Sequence, residues 1–275
     1  MREVLERANF ELLVLVGDTY QIESIEFGNW FDAVRFFLPQ TAVCELTTPY
    51  RSNTDALLNV WNDVRKMNGD IYYLLQTYGY STDLDKSIFA PAREGEVVLC
   101  LNYGGLYGIN NINHFLQESN TGKAIWRGIQ RYKVGDPILF NDASDKFFTR
   151  TEDQLPVIHN NMTGHIVDFL LLNEGKATEG IQFDIEIDQP LIDMDMKDMD
   201  FTIVGTAGNG NSIIRFVVNK NKTTDEDDEG PSKATVPFQI AYAVSIHKAQ
   251  GLEYDHVKII ITDEIDELIT HSIFY

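Results

Sequence analysis

Three features of this sequence predict an α/β fold. Short apolar runs rich in β-branched residues occur at Glu11–Val16, Glu96–Leu101 and Val257–Ile261, the pattern of strands covered on both faces. Amphipathic helix patterns lie between them, clearest over Asn110–Glu118, where Ile109, Ile112, Phe115 and Leu116 fall at helical spacing. Polar residues crowd beside the apolar runs: Gly17 and Asp18 after the first, and Ser245, His247, Lys248, Gln250 and Glu253 around Gly251 before the last. In open α/β sheets, ligands bind beyond the carboxyl ends of strands.

Taken in order, Arg2–Asn9 reads as helix and Glu11–Val16 as a strand ended by Gly17-Asp18. Asn29–Leu38 is an aromatic-rich helix expected in the core. A strand over Thr41–Leu46 leads to Tyr50-Arg51-Ser52-Asn53, and Ser52 or Asn53 can cap a helix over Thr54–Met67. Ile71–Tyr80 reads as a short helix and Glu96–Leu101 as the next strand. Glycines 104, 105 and 108 then turn the chain into the Asn110–Glu118 helix. Tyr132–Asn219 changes character: period-two patches at Phe183–Ile187 and Ser212–Val218, with turns at 134–136, 160–164 and 208–210, predict a small β-barrel inserted into the α/β domain. Asn219–Lys233 reads as an acidic linker, and Thr235–Val244 returns the chain to the sheet.

The 275 residues suffice for two small domains, or for one with an insertion. The formal net charge is −20, from 22 basic and 42 acidic residues, which argues against a dominant basic surface for nucleic acid. Part of the excess is local: seven acids lie in Phe183–Asp200 and five in 225–229. No apolar run has the length of a membrane span, so no membrane partner is expected. Cys44 and Cys100 are expected to be reduced, buried and cytosolic, and the protein cytoplasmic. His247 has no second ligand at metal spacing, so no metal site is expected.

Chemically, Ser245, His247 and Lys248 can hold phosphates, and Glu253 can accept from a sugar hydroxyl. Without a relative, the stretch is equally a solvated loop, Gly17-Asp18 a plain βα turn, and Arg51 a surface arginine. The string SIHKAQGLEYDHV resembles motif V of superfamily 1 DNA helicases of the UvrD/RecD-like branch. LVGDTYQIESIEFGNWF resembles motif III of the same family, with Ile22 where leucine is usual, and ELTTPYRSN resembles motif IV. CLNYGGLYGINNINHFLQESN is similar to a glycine-bearing strand–turn–helix of the family, in which Gly105, Gly108, Asn113 and Gln117 hold the second motor domain together. KVGDPILFND…VIHNNMTGHIVDF looks like its SH3-like insertion, with Pro137 where the family often has arginine and Asn161-Met162-Thr163-Gly164 in place of its NGD turn.

The resemblance implies a RecA-like, P-loop-type motor domain, the second of two and incomplete, carrying an inserted SH3-like small β-barrel. The implied boundaries are 1–40 for the tail of the first motor domain, 41–132 plus 234–275 for the second, 133–222 for the barrel and 223–233 for the linker. It gives Gln21 and Arg51 roles at the γ-phosphate, and puts Gly17, Asp18, Tyr50, Gly251 and Glu253 at the nucleotide. Ser245, His247 and Lys248 would contact DNA. ATP, Mg²⁺ and single-stranded DNA are the implied ligands of the parent enzyme. No G-x-x-x-x-G-K-[ST] loop, acidic Walker B strand or arginine-finger motif VI accompanies these motifs. The chain is therefore expected to be an inactive helicase fragment that holds no cofactor by itself. A second reading is a nucleotide-independent protein-interaction module that binds a protein partner, or itself through an exposed motor-domain cleft.

Overall fold

The computed structural model describes residues 6–7, 9, 11–20, 30–48, 54–66, 71–81, 86–90, 95–141, 157–176, 179–191, 200–219 and 235–262. Two units divide the chain: Met1–Asp83 with Ile265–Tyr275, and Leu84–Glu264.

The first unit holds α1 (Trp30–Arg35), a 3-10 turn at Gln40–Ala42, α2 (Asp55–Arg65) and α3 (Ile71–Thr77). In α2, Asp55 in the first turn and Arg65 in the last both complement the helix dipole. Val60 and Val64, one turn apart, are its buried residues, and the helix packs against α3. Thr54 occupies the N-cap position in extended backbone. The expected caps, Ser52 and Asn53, lie outside the described residues. Arg65 pairs with Glu45 and lies over the Tyr20 ring, 5.7 Å from its centroid.

Four expectations fail in this unit. Residues 11–16 form no strand; Leu12 is 79% and Val16 89% exposed. Thr41–Leu46 forms no strand either: the 3-10 turn is followed by irregular, exposed chain, and Cys44 is exposed rather than buried. A strand must pair its N–H and C=O groups with a neighbour, and the described residues of this unit provide none. The aromatic helix forms as α1, but none of its residues is buried, and Phe36 and Phe37 beyond it are exposed.

The second unit begins with a 3-10 turn at Lys86–Phe89 and β1 (Glu96–Cys100), followed by α4 (Ile109–Glu118). The β2–β3 hairpin (Ala124–Arg127, Gln130–Lys133) forms a two-stranded sheet of its own. β4 (Pro137–Phe140), β5 (Thr163–Leu172), β6 (Gly180–Ile187), β7 (Thr202–Thr206), β8 (Ser212–Asn219) and β9 (Phe238–Ile240) make a six-stranded antiparallel sheet in the order β7-β8-β6-β5-β4-β9. β10 (Ala243–Ser245), the short helix α5 (Ile246–Ala249) and β11 (His256–Ile259) complete the unit. β10, β1 and β11 form a three-stranded parallel sheet with β1 in the middle.

The chain between β9 and β10 stitches the two larger sheets together. The Ala241 N–H donates to Pro137 O in the antiparallel sheet (2.8 Å), and the next carbonyl, Tyr242 O, accepts from Val98 N in the parallel one (3.0 Å). One apolar core serves both, with Cys100, Ile109, Ile112 and Leu116 in the same buried cluster as Ile138, Phe140, Ile166, Phe183, Phe216 and Phe238. Phe238 packs edge-on to Phe183 and Tyr132, at centroid distances of 5.2 and 5.7 Å.

Two expectations are corrected here. Among the described residues the inserted strands β4 to β8, joined by β9 from beyond the insertion, form an open sheet with edges at β7 and β9, not the closed SH3-like barrel expected. β11 was expected to be covered on both faces, but among the described residues it is an edge strand with Val257 and Ile259 nearly half exposed.

Candidate functional site

β1 and β10 run parallel and finish side by side, with Cys100 opposite Ser245. This carboxyl edge is where a parallel sheet presents its loops to a ligand. The loop after β1 carries Tyr103, Gly104, Gly105 and Leu106 before α4. Gly108 must be glycine: a Cβ there would lie 2.0 Å from the backbone oxygen of Gly104.

After β10 the chain turns immediately. Ser245 is buried, extended at φ −72° and ψ 147°, and its Oγ accepts from Lys248 N at 3.3 Å as the N-cap of α5. His247 is exposed. Lys248 donates through Nζ to Gln239 Oε1 at 2.8 Å, and Asn141 Nδ2 approaches the same oxygen at 3.4 Å. Gln239 is uncharged, so this bond orders the ammonium without setting a counter-charge against it. Gly251 takes φ +83° with open space where a side chain would stand, and Glu253 is exposed. The turn thus keeps Ser245, His247, Lys248, Gly251 and Glu253 on one short stretch beyond the sheet edge.

A polar cluster joins the end of α4 to the start of β10; the sequence singled out its Gln117 and Asn113, which are expected to hold the domain together, but not its centre, Asp136. Asp136 is fully buried and accepts four hydrogen bonds: from Lys133 N (2.7 Å), Gln117 Nε2 (2.5 Å), Asn120 Nδ2 (2.8 Å) and Tyr242 OH (2.9 Å). Burial raises its pKa above the usual carboxylate range, against the downward pull of those four donors. Lys133, also buried, donates to Gln117 O (2.9 Å) and Asn120 O (2.6 Å) at the end of α4, where a cation offsets the helix dipole. The Tyr242 hydroxyl pKa is raised, first by burial and then by Asp136. Asn113 clamps β10 from α4: its Nδ2 donates to Ala243 O (2.9 Å) and its Oδ1 accepts from Ala243 N (2.8 Å). The signal was present in Val134-Gly135-Asp136-Pro137, an acid set between apolar strands, but a turn and a buried anchor look alike in one dimension.

The remaining expected site residues belong to the first unit. Gly17 and Asp18 sit in irregular chain; Asp18 Oδ1 accepts from Tyr20 N at 3.0 Å in an Asx-type turn. A Cβ on Gly17 would come within 3.0 Å of the Phe31 ring. Gln21, Tyr50 and Arg51 lie outside the described residues. Among the described residues no group of three or more His, Cys, Asp or Glu side chains is placed to hold a metal ion, and no helix is long and apolar enough to cross a membrane. Burial pushes the Cys100 thiol up to about 12, so it stays protonated at neutral pH.

No protein-family model matches the chain, and no curated protein matches it. Among solved structures, the Pif1 helicase from Candida albicans aligns over 75% of this chain and 47% of its own, at 15% identity and a TM-score of 0.38. Unliganded Pif1 from Bacteroides sp aligns over 83% and 47%, at 15% identity and a TM-score of 0.36. The same Bacteroides protein in complex with ADP-AlF4 aligns over 80% and 46%, at 14% identity and a TM-score of 0.34. The chain spans about half the length of these structures.

Proposed function

We propose that this chain is part of a superfamily 1 DNA helicase that uses ATP to move along single-stranded DNA, contributing the second RecA-like motor domain with its insertion at 133–222. The observation that supports this best is the carboxyl edge of the parallel sheet. There β10 ends at Ser245 and releases a turn that holds an ordered Lys248 beside an exposed His247. That is phosphate-holding chemistry at the edge where α/β sheets take ligands. Its sequence is also the one that resembles motif V. In this reading Ser245, His247 and Lys248 grip the DNA backbone. Gly251, Glu253, Gly17, Asp18 and Tyr50 belong to the nucleotide, with Gln21 and Arg51 at its terminal phosphate. Mg²⁺ and the phosphate-binding loop come from outside these motifs, so the chain alone turns over no ATP.

The test is ATP hydrolysis with and without single-stranded DNA, in the longest product of the gene that carries this chain. DNA should stimulate turnover, and Arg51→Ala should lower kcat by about a hundred-fold or more, the scale of removing a charge clamp from a transferring phosphoryl group. Turnover indifferent to DNA and to Arg51 would contradict the reading. It would favour the alternative of a nucleotide-independent interaction module, to which the exposed Leu12, Val14, Val16, Phe36, Phe37 and Leu46 would then point.

A further inference from the structure

The β2–β3 hairpin inverts the character of the chain. Thr121–Lys133 holds four cations and no acid, in a protein of net charge −20; Lys133 is buried against the end of α4, Lys123 pairs with Asp168 (3.1 Å), and Arg127 donates to Asn219 O (2.8 Å). On its outer face Trp126 stands opposite Arg131 across the two strands. The Arg131 guanidinium lies over the indole, 5.4 Å from the ring centroid, and is anchored in turn by Glu118 Oε1 (2.5 Å) and Gln117 Oε1 (3.3 Å). The indole is nevertheless 59% exposed, and Ile129 at the turn is 99% exposed. The opposite face, with Tyr132 buried and Ile125 partly buried, packs on the core, while on the outer face the end of α4 holds Arg131 and buries Lys133, leaving Trp126 and Ile129 exposed.

An exposed tryptophan alone needs no explanation. Here, however, an arginine with two further anchors holds the ring in place. An immobilised aromatic surface loses little entropy when a second flat ring settles on it. Aromatic stacking within a cationic stretch is the chemistry that takes unpaired bases without regard to sequence. We propose that the β2–β3 hairpin is a stacking platform for an unpaired base of single-stranded nucleic acid, with the Trp126 indole as the platform and Arg131 as the residue that positions it. This rests on the nucleic-acid reading above and adds a contact on a different element.

The protein with Trp30→Phe and Trp61→Phe keeps Trp126 as its sole indole. Titrating it at low salt with oligothymidylate should quench its fluorescence. A strand of equal length built of abasic units should bind more weakly and leave the fluorescence unchanged. In the otherwise native chain, Trp126→Ala should weaken oligothymidylate binding by about ten-fold while Trp126→Phe stays within about three-fold, the range expected for one stacked base. Arg131→Lys should reduce the quench while leaving the hairpin folded by circular dichroism. Binding with no quench, or equal binding by Trp126→Ala, overturns the platform and leaves the backbone grip of Lys248 standing. No binding by the native chain overturns both.

Discussion

Asp136 shows how much a single residue organises in this fold. It takes a carboxylate fully out of water and surrounds it with donors from α4, β3, the turn after α4 and the chain between β9 and β10. Such a network is favourable only when every member is satisfied. Asp136→Asn keeps the shape but turns an amide N–H₂ toward groups that are themselves donors. The variant should lose about 3 kcal/mol of stability, the cost of breaking a buried charge-assisted network. Urea denaturation checks this; an unchanged midpoint would mean that the cluster contributes nothing net. Asn113 poses the complementary case. Its amide replaces a neighbouring strand for the Ala243 backbone, and Ala243 is fully buried. Asn113→Ala leaves a buried N–H and C=O without these partners.

At the scale of elements, α4 decides whether the carboxyl edge is assembled. It packs Ile109, Ile112 and Leu116 into the shared core, clamps β10 through Asn113 and reaches Asp136 through Gln117. Asn113→Ala should lower the midpoint of thermal unfolding by a cost of about 2 kcal/mol, and Gly108→Ala should do worse because its methyl group meets backbone rather than a movable side chain. A calorimetric trace unchanged in both variants would refute the role given to α4. The sequence makes this helix legible because its apolar spacing, preceding glycines and length agree. The same holds for β1, β6 and β8, whose patterns carry their own burial. It fails for residues 11–16, as apolar as any strand here, because an apolar run becomes a strand only with a partner to pair with. It fails for β11 for a related reason: apolar content does not distinguish a central strand from an edge. The turn after β10 was legible in its residue types, but the Gln239 bond that orders Lys248 was not, since it joins two separate elements.

The second unit as a whole is a parallel α/β sheet and an antiparallel sheet on one core, joined by the continuous segment 238–245. Closure of the inserted strands into a barrel was not readable from period-two patterning, because alternation reports which face is buried and not whether the edges meet. The overall charge of −20 opposes nucleic acid at long range, so any grip must come from local cations such as Lys248 and the hairpin. Salt therefore provides the most direct test: the affinity of this chain for oligothymidylate as a function of salt concentration, native against Lys248→Ala. If the carboxyl edge grips the DNA backbone, the native chain binds at low salt, and the variant binds more weakly with a log–log slope shallower by about 0.7, the loss of one phosphate contact on a single strand. Identical slopes for the two proteins, or no binding by the native chain, would contradict the account.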